Sequence, residues 1–149
     1  MTAVETPPST EKSQTARVLN IDGFEISDES DCYVIAEIGA NHQGDIEKCK
    51  ALFESAANCG ANAVKLQKRS NKSLYTKAMF HEPYNSENAY AATYGEHREF
   101  LEFGNSEFTE LISVARALNI TFFSTAFDFE SADFLAKLDM PAYKIASGD

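Results

Sequence analysis

The sequence predicts an α/β fold with a parallel sheet, and three of its features lead to that prediction. Segments with strand and helix patterns alternate along the chain. Each strand segment is a short, nearly continuous apolar run, as is typical of strands that are buried on both faces. No GxGxxG sequence follows the first of them, which disfavours a dinucleotide-binding sheet. The alternation requires right-handed crossovers, and four such units fit half of an eight-stranded barrel or a small doubly wound sheet.

The elements follow one another in a regular order after a polar lead-in. Residues 1–16 contain two prolines and several Ser and Thr residues, so we expect them to be disordered. Residues 17–30 alternate around Asp22-Gly23, a dipeptide that is typical of a tight hairpin turn. The main fold is then predicted as strand 32–38, helix 45–60, strand 61–67, a polar and aromatic insertion 68–105 with short helical pieces, helix 106–119, strand 120–127, helix 129–139 and strand 142–147.

Polar residues mark the predicted helix ends. Asp45 stands where the first helix begins, and Gly60 is a favourable stop for it. Ser106 is the predicted N-cap of the next long helix, because acidic residues follow it in the first turn.

Composition and charge exclude several classes of function. The chain has 149 residues, of which 44% are hydrophobic and 24% are charged, a balance typical of a soluble globular domain. Its net charge of −10 argues against a nucleic-acid surface. We expect no membrane segment, because no apolar run approaches about 20 residues, and no signal peptide. Three cysteines without metal-ligand spacing predict reduced thiols in a cytoplasmic protein.

Every strand of the predicted sheet carries polar residues near its carboxyl end. They are Glu37 in the first strand, Lys65 and Gln67 in the second, Ser124 and Thr125 in the third, and Lys144 and Ser147 in the fourth. A lone lysine in a strand is more often ion-paired than catalytic. A whole set of this kind is expensive to bury without a ligand, however, and strand ends meet at one edge of a parallel sheet. The pattern therefore predicts a polar pocket that binds an anion.

The histidines give a weaker signal. His42 follows the first strand, where a single histidine is more often structural than catalytic, and we expect it to shape the pocket together with Asn41. His81 and His97 lie in the insertion and have no metal-ligand partners by spacing, so the sequence predicts no complete metal site.

Five motifs in a fixed order resemble the sialic acid synthase family, which includes N-acetylneuraminate and N-acetylneuraminate-9-phosphate synthases. The motifs are IAEIGANHQGD at 35–45, GANAVKLQK at 60–68, PYNSENAYAATYGEHREFLEF at 83–103, FFSTAFD at 122–128 and PAYKIASGD at 141–149. The third motif looks most like the branch with phosphorylated products. The resemblance covers the chain from about residue 18 onward.

The resemblance implies a fold, an activity and a cofactor. The fold is the N-terminal half of a (β/α)8 TIM barrel preceded by a short β-hairpin, so that residues 17–149 form part of one catalytic domain. The activity is a transferase reaction, in which phosphoenolpyruvate condenses with N-acetylmannosamine, its 6-phosphate or a related N-acyl hexosamine and phosphate is released. A divalent metal, Mn²⁺ or Mg²⁺, and a cytoplasmic homodimer are also implied.

The resemblance also assigns roles to single residues. Glu37 corresponds to the catalytic glutamate at the reacting centre. Lys65, Thr125, Lys144 and Ser147 correspond to residues on the phosphoenolpyruvate side, whereas Gln67 and Asn85 correspond to residues that contact the sugar. The family's metal-binding histidines belong to later strands, so the metal ligands are expected beyond Asp149.

Two other functions remain open at this point. Lys65 or Lys144 could act as the nucleophile of a Schiff-base aldolase with the same fold. The 149 residues also lack the family's later strands and its antifreeze-like C-terminal domain. We therefore expect a fragment that is incomplete for catalysis on its own, and a non-catalytic half-barrel is the third interpretation.

Overall fold

The computed structural model describes residues 17–148, so the predicted disordered lead-in, 1–16, lies outside the described residues. The described chain begins with a hairpin of two antiparallel strands, β1 (Val18–Ile21) and β2 (Phe24–Ser27). Asp22 and Gly23 join them with φ angles of 52° and 85°, and a two-residue hairpin turn of this kind requires positive φ at both positions. The predicted hairpin is therefore confirmed.

A four-stranded parallel sheet follows, with its strands in the order of the chain. The strands are β3 (Ile35–Gly39), β4 (Ala63–Lys68), β5 (Thr121–Ala126) and β6 (Tyr143–Ile145). A doubly wound sheet reverses its strand order at a switch point, whereas a barrel adds each new strand on the same side of the last. The sequential order matches the barrel, and the predicted N-terminal half of a (β/α)8 fold is confirmed.

Six helices connect or flank these strands in the described part of the chain. They are α1 (Ile46–Asn58), α2 (Asn71–Leu74), α3 (Lys77–Phe80), α4 (Tyr94–Phe100), α5 (Asn105–Ala117) and α6 (Phe129–Lys137). Within residues 17–148, no helix combines the length and the apolar character needed to cross a membrane.

The helix ends confirm one predicted cap and correct another. Asp45 caps α1, since its carboxylate accepts hydrogen bonds from the backbone N–H groups of Glu47 and Lys48 at 2.9 and 3.1 Å. The predicted N-cap at Ser106 is wrong, because α5 already begins at Asn105. The Glu107 carboxylate instead accepts from the N–H of Gly104 at 2.9 Å, so the start of the helix is held without a capping hydroxyl.

The core lies between the sheet and its helices. Phe122 of β5 contacts Phe53 of α1 and Phe108 of α5, with ring centroids 5.0 and 5.7 Å apart. Val64 and Leu66 of β4 are fully buried in the same cluster. Because side chains alternate along a strand, the residues between them point to the opposite face, which is the interior of the barrel.

The insertion between β4 and α5 folds against itself and against the turn after β3. It contains the short helices α2, α3 and α4, as predicted, and an antiparallel bridge between Pro83 and Thr93. Tyr84 and Tyr90 lie on the ring of His97, with centroid distances of 4.6 and 5.6 Å. These aromatic contacts give the insertion a fixed shape although it contains little regular structure.

Candidate active site

Strand register brings the predicted site residues to one face of the sheet. Glu37 of β3 is paired with Lys65 of β4. Two residues further along, Gln67 of β4 is paired with Thr125 of β5, which is in turn paired with Lys144 of β6. A bulge follows Glu37, since the next paired residue of β3 is Gly39 rather than Ile38. Bulges bend a strand and redirect its side chains, and they are common beside active sites.

An ion pair and a hydrogen bond hold Lys65 at the centre of this face. Its ammonium contacts the Glu37 carboxylate and donates to the Thr125 hydroxyl at 2.9 Å. The Lys65 side chain is only 7% exposed, whereas the Glu37 side chain is 48% exposed. The ion pair therefore offsets the free-energy cost of burying the charge of Lys65 in a strand. It also leaves part of the Glu37 carboxylate open to the pocket.

Gln67 extends the arrangement, and Gly39 makes room for it. The Gln67 Nε2 group donates to Glu37 Oε1 at 3.4 Å. A Cβ atom on Gly39 would lie 3.2 Å from that carboxylate oxygen and 3.4 Å from Gln67 Nε2. Gly39 also has a φ angle of 56°, a conformation that favours glycine. The glycine therefore lets the backbone approach both polar side chains.

These groups line an open pocket of about 520 Å³ at the carboxyl ends of the four strands. Its lining residues are Glu37, Lys65, Gln67, Thr125, Phe127, Lys144, Ala146, Ser147 and Gly148. Two lysines face one glutamate, so the wall carries an excess of positive charge although the whole chain is acidic. Such a wall suits a small, polar anion.

One predicted site residue lies apart from the others. Asn85 is exposed in the insertion, next to the bridge that ends at Pro83, and it does not line the pocket. Its predicted contact with a sugar stays a prediction. The remaining six predicted residues all line the pocket.

Two polar residues from the sequence pattern serve the scaffold instead. Ser124 is fully buried on the opposite face from Thr125, and its hydroxyl donates to the Thr125 carbonyl at 3.3 Å. His42 was expected to shape the pocket, but it is buried against Phe103, with ring centroids 4.1 Å apart. Its Nδ1 atom accepts from the N–H of Gly44 at 3.1 Å, and burial lowers its pKa to about 4. His42 is therefore a neutral support for the turn after β3.

Asn41 also supports this turn. Its side-chain amide donates to the carbonyl of Ile38 at 2.9 Å, which closes the bend behind the strand. Asn41 was expected to shape the pocket, but it does not line it.

The described residues do not fit a divalent metal by themselves. Across residues 17–148, no group of three or more His, Cys, Asp or Glu side chains is arranged to hold an ion. Among residues 17–148, Glu37 supplies the only carboxylate that lines the pocket, and it is already paired with Lys65.

Sequence comparisons agree with the motifs. The model of the NeuB family matches residues 52–149. The chain is 39% identical over 118 residues to N-acetylneuraminate-9-phosphate synthase of Mus musculus, covering 79% of this chain and 33% of that protein. It is 38% identical over 119 residues to N,N'-diacetyllegionaminic acid synthase of Legionella pneumophila, with shares of 79% and 33%. The chain thus spans about a third of the length of the curated relatives that it matches.

A solved structure has the same arrangement of elements. The crystal structure of N-acetylneuraminic acid (sialic acid) synthetase from Leptospira borgpetersenii serovar Hardjo-bovis, in complex with citrate, superimposes with a TM-score of 0.74 and 28% identity. The superposition covers 90% of this chain and 42% of that one.

Proposed function

Because this chain belongs to the NeuB family, we propose that the complete protein containing it condenses phosphoenolpyruvate with an N-acyl hexosamine and releases phosphate. The observation that carries this proposal is the cluster of Glu37, Lys65, Thr125 and Lys144 around one open pocket at the carboxyl ends of parallel strands. In (β/α)8 barrels, active sites are built at this end. The names of the relatives support a nonulosonic acid as the product class.

The reaction forms one carbon–carbon bond and breaks one bond to phosphate. C3 of phosphoenolpyruvate attacks the aldehyde carbon of the sugar, which leaves positive charge at C2. Water then adds at C2, and the resulting tetrahedral centre expels phosphate to give the keto acid. The protein must hold two anionic groups of phosphoenolpyruvate and stabilise the transient cation.

The pocket residues suit these tasks. Lys65 and Lys144 supply positive charge for the phosphate and carboxylate of phosphoenolpyruvate, and the hydroxyl groups of Thr125 and Ser147 add neutral hydrogen bonds. Glu37, with its carboxylate half exposed, stabilises the cation at C2 or accepts a proton.

Gln67 stands beside Glu37 and is the residue proposed to contact the acceptor sugar. Asn85 is proposed as a second sugar contact.

Further parts of the proposal concern the complete protein. The divalent metal, Mn²⁺ or Mg²⁺, would be held by ligands beyond Asp149, and the chemistry it would supply there is that of a Lewis acid. We also propose a cytoplasmic homodimer, and residues 17–149 as the first part of its catalytic barrel.

Phosphate release tests the proposal directly. The complete protein is incubated with phosphoenolpyruvate and a panel of acceptors: N-acetylmannosamine, its 6-phosphate and diacetylated deoxyhexosamines. Phosphate is expected with at least one acceptor and to depend on that acceptor. The variant Glu37→Gln is expected to lose this activity. If no hexosamine supports phosphate release, the proposed function is wrong.

A separate arm tests a Schiff-base mechanism. The side-chain nitrogen of Lys65 is already held by Glu37 and Thr125, and the proposed condensation forms no covalent bond to a lysine. Borohydride treatment in the presence of pyruvate is therefore expected to leave the protein unmodified. A stable adduct on Lys65 or Lys144, detected by mass spectrometry, would identify an aldolase instead.

A further inference from the structure

Arg69 lies just beyond the end of β4 and contacts one residue of the candidate site, Gln67. Its guanidinium Nη2 atom donates to Gln67 Oε1 at 2.6 Å. Gln67 in turn donates from Nε2 to Glu37 Oε1 at 3.4 Å. Arg69 does not itself line the pocket.

Three contacts hold Arg69 in place. Its guanidinium carbon lies 3.7 Å from the ring centroid of Phe127, a distance that is typical of a stacked cation–π contact. Its backbone N–H donates to the Glu102 carboxylate at 3.2 Å, which fixes the chain just after the strand. Within residues 17–148 the guanidinium forms no salt bridge. Its only directed side-chain hydrogen bond in this part of the chain is therefore the one to Gln67.

The hydrogen-bonding chemistry of the three side chains defines one orientation for Gln67. The two ends of a glutamine amide have nearly the same shape, but one end donates and the other accepts. Arginine can only donate, and an ionised carboxylate can only accept. A glutamine between Arg69 and Glu37 must therefore direct its oxygen to the former and its nitrogen to the latter.

We propose that Arg69 is a positioning residue, which fixes the Gln67 amide so that its N–H side faces Glu37 and the acceptor substrate. The expected effect on kinetics rests on the proposed function. The orientation of the Gln67 amide does not depend on it. Without the guanidinium, the Gln67 amide keeps only its 3.4 Å contact with Glu37, so its position toward the acceptor substrate is no longer fixed from both ends.

Steady-state kinetics of the complete protein test the consequence. Arg69→Ala is expected to raise the KM for the hexosamine about tenfold, as the loss of one charge-assisted hydrogen bond implies. The KM for phosphoenolpyruvate is expected to change less than about twofold, because the described contacts of Arg69 include none of the residues proposed to bind this substrate. Arg69→Lys keeps the charge but not the planar fork, and it is expected to recover part of the loss.

A matched arginine provides the control. Arg116 is an exposed residue of α5 and lies outside the pocket, so Arg116→Ala removes the same charge without touching Gln67. Both KM values and the melting temperature are expected to stay at those of the parent. If Arg116→Ala raises the KM for the hexosamine as much as Arg69→Ala does, net charge rather than positioning is responsible, and the proposal is overturned.

A double-mutant cycle separates action through Gln67 from other causes. In a Gln67→Ala background, Arg69→Ala is expected to change the KM for the hexosamine by less than about twofold, because the residue it positions is gone. An equal effect in both backgrounds would contradict the proposal.

Crystal structures decide the orientation independently of activity. In the parent, Gln67 is expected in the place described above, and in Arg69→Ala its side chain is expected to move or to lose density. An unchanged Gln67 in the variant overturns the positioning role. If the complete protein turns over no hexosamine, the proposed function fails, and these two structures still decide the role of Arg69.

Discussion

The two partners of the central ion pair are expected to respond to substitution in different ways. Lys65 is almost out of water, whereas half of the Glu37 side chain is exposed. Glu37→Gln leaves a buried ammonium without a carboxylate partner, so that only neutral oxygens such as the Thr125 hydroxyl can accept from it. Loss of one partner costs about 3–5 kcal/mol in a fully buried pair and about 0–1 kcal/mol in an exposed one. With one partner half exposed, we expect a destabilisation of about 1–2 kcal/mol.

Lys65→Met removes the other partner and is expected to cost little stability. Methionine keeps most of the apolar stem in a site where the lysine is 7% exposed. The remaining Glu37 carboxylate can be solvated by water and by Gln67. Replacing a buried ion pair with apolar side chains of similar volume is often neutral or stabilising, whereas a single charge left buried is costly. The carboxylate that remains here is half exposed rather than buried, so the expected change is about 0 to 1 kcal/mol in favour of the variant.

Thermal unfolding of the complete protein measures this asymmetry. For a domain of 150–250 residues, 1 kcal/mol corresponds to about 2–4 °C, so Glu37→Gln is expected to melt about 2–8 °C below the parent. Lys65→Met is expected to melt at or above the parent, although both variants lose phosphate release. Glu47→Gln is the control, because Glu47 pairs with Lys50 while 76% exposed and should shift the melting temperature by less than about 2 °C. Equal destabilisation by Lys65→Met and Glu37→Gln would refute the reasoning.

Three further predictions concern the scaffold. Gly44→Ala would place a Cβ 2.6 Å from the backbone oxygen of Phe100, and it is expected to lower the free energy of unfolding by about 2–4 kcal/mol. Gly60 has a φ of 82° but open space around it, so Gly60→Ala is expected to lower that free energy by only about 1–2 kcal/mol. Chemical denaturation measures both values. Burial lowers the pKa of His42 to about 4 in the native state. Between about pH 6.5 and pH 4, His42 therefore binds a proton in the unfolded state but not in the native state, and the free energy of unfolding falls as the pH drops through this range. The melting temperature of His42→Leu should therefore fall less than that of the parent between pH 7.5 and pH 4.5. An equal fall in both proteins would show that His42 is not the cause. Cys49 is fully buried, and burial raises its pKa to about 12, so its thiol should react with Ellman's reagent only after unfolding. Cys49→Ser lacks this thiol, so the parent and the variant should react equally when folded and differ only when unfolded.

The order and type of the main elements could be predicted because each carries a local signal. Apolar runs marked the strands, and Asp22-Gly23 marked the hairpin with a turn that requires positive φ. The ends were harder to predict. Strand β6 pairs only over Tyr143–Ile145, whereas the predicted strand covered residues 142–147. The cap of α5 was misplaced, because Ser106 and Glu107 both carry capping chemistry and only tertiary context selects the second.

The site was predictable in its composition but not in its geometry. Polar residues at strand ends identified Lys65 and Thr125, but alternation alone did not show that Ser124 turns to the helices. The contact between Arg69 and Gln67 was not predicted, because Arg69 lies beyond the end of β4 and its guanidinium is held by the Phe127 ring, which lies just beyond the end of β5. Contacts between residues that follow the strands depend on tertiary structure, and the period of the strands does not predict them.

The end of the insertion holds both strands that carry the ion pair. Phe103 packs on His42 in the turn after β3. Glu102 accepts from the Lys68 ammonium at 3.1 Å and from the N–H of Arg69 at the end of β4. These supports are buried and directional, so they restrict the relative movement of the two strand ends. The insertion therefore belongs to the site although its residues 100–103 do not line the pocket, and the position of Glu37 relative to Gln67 depends on it.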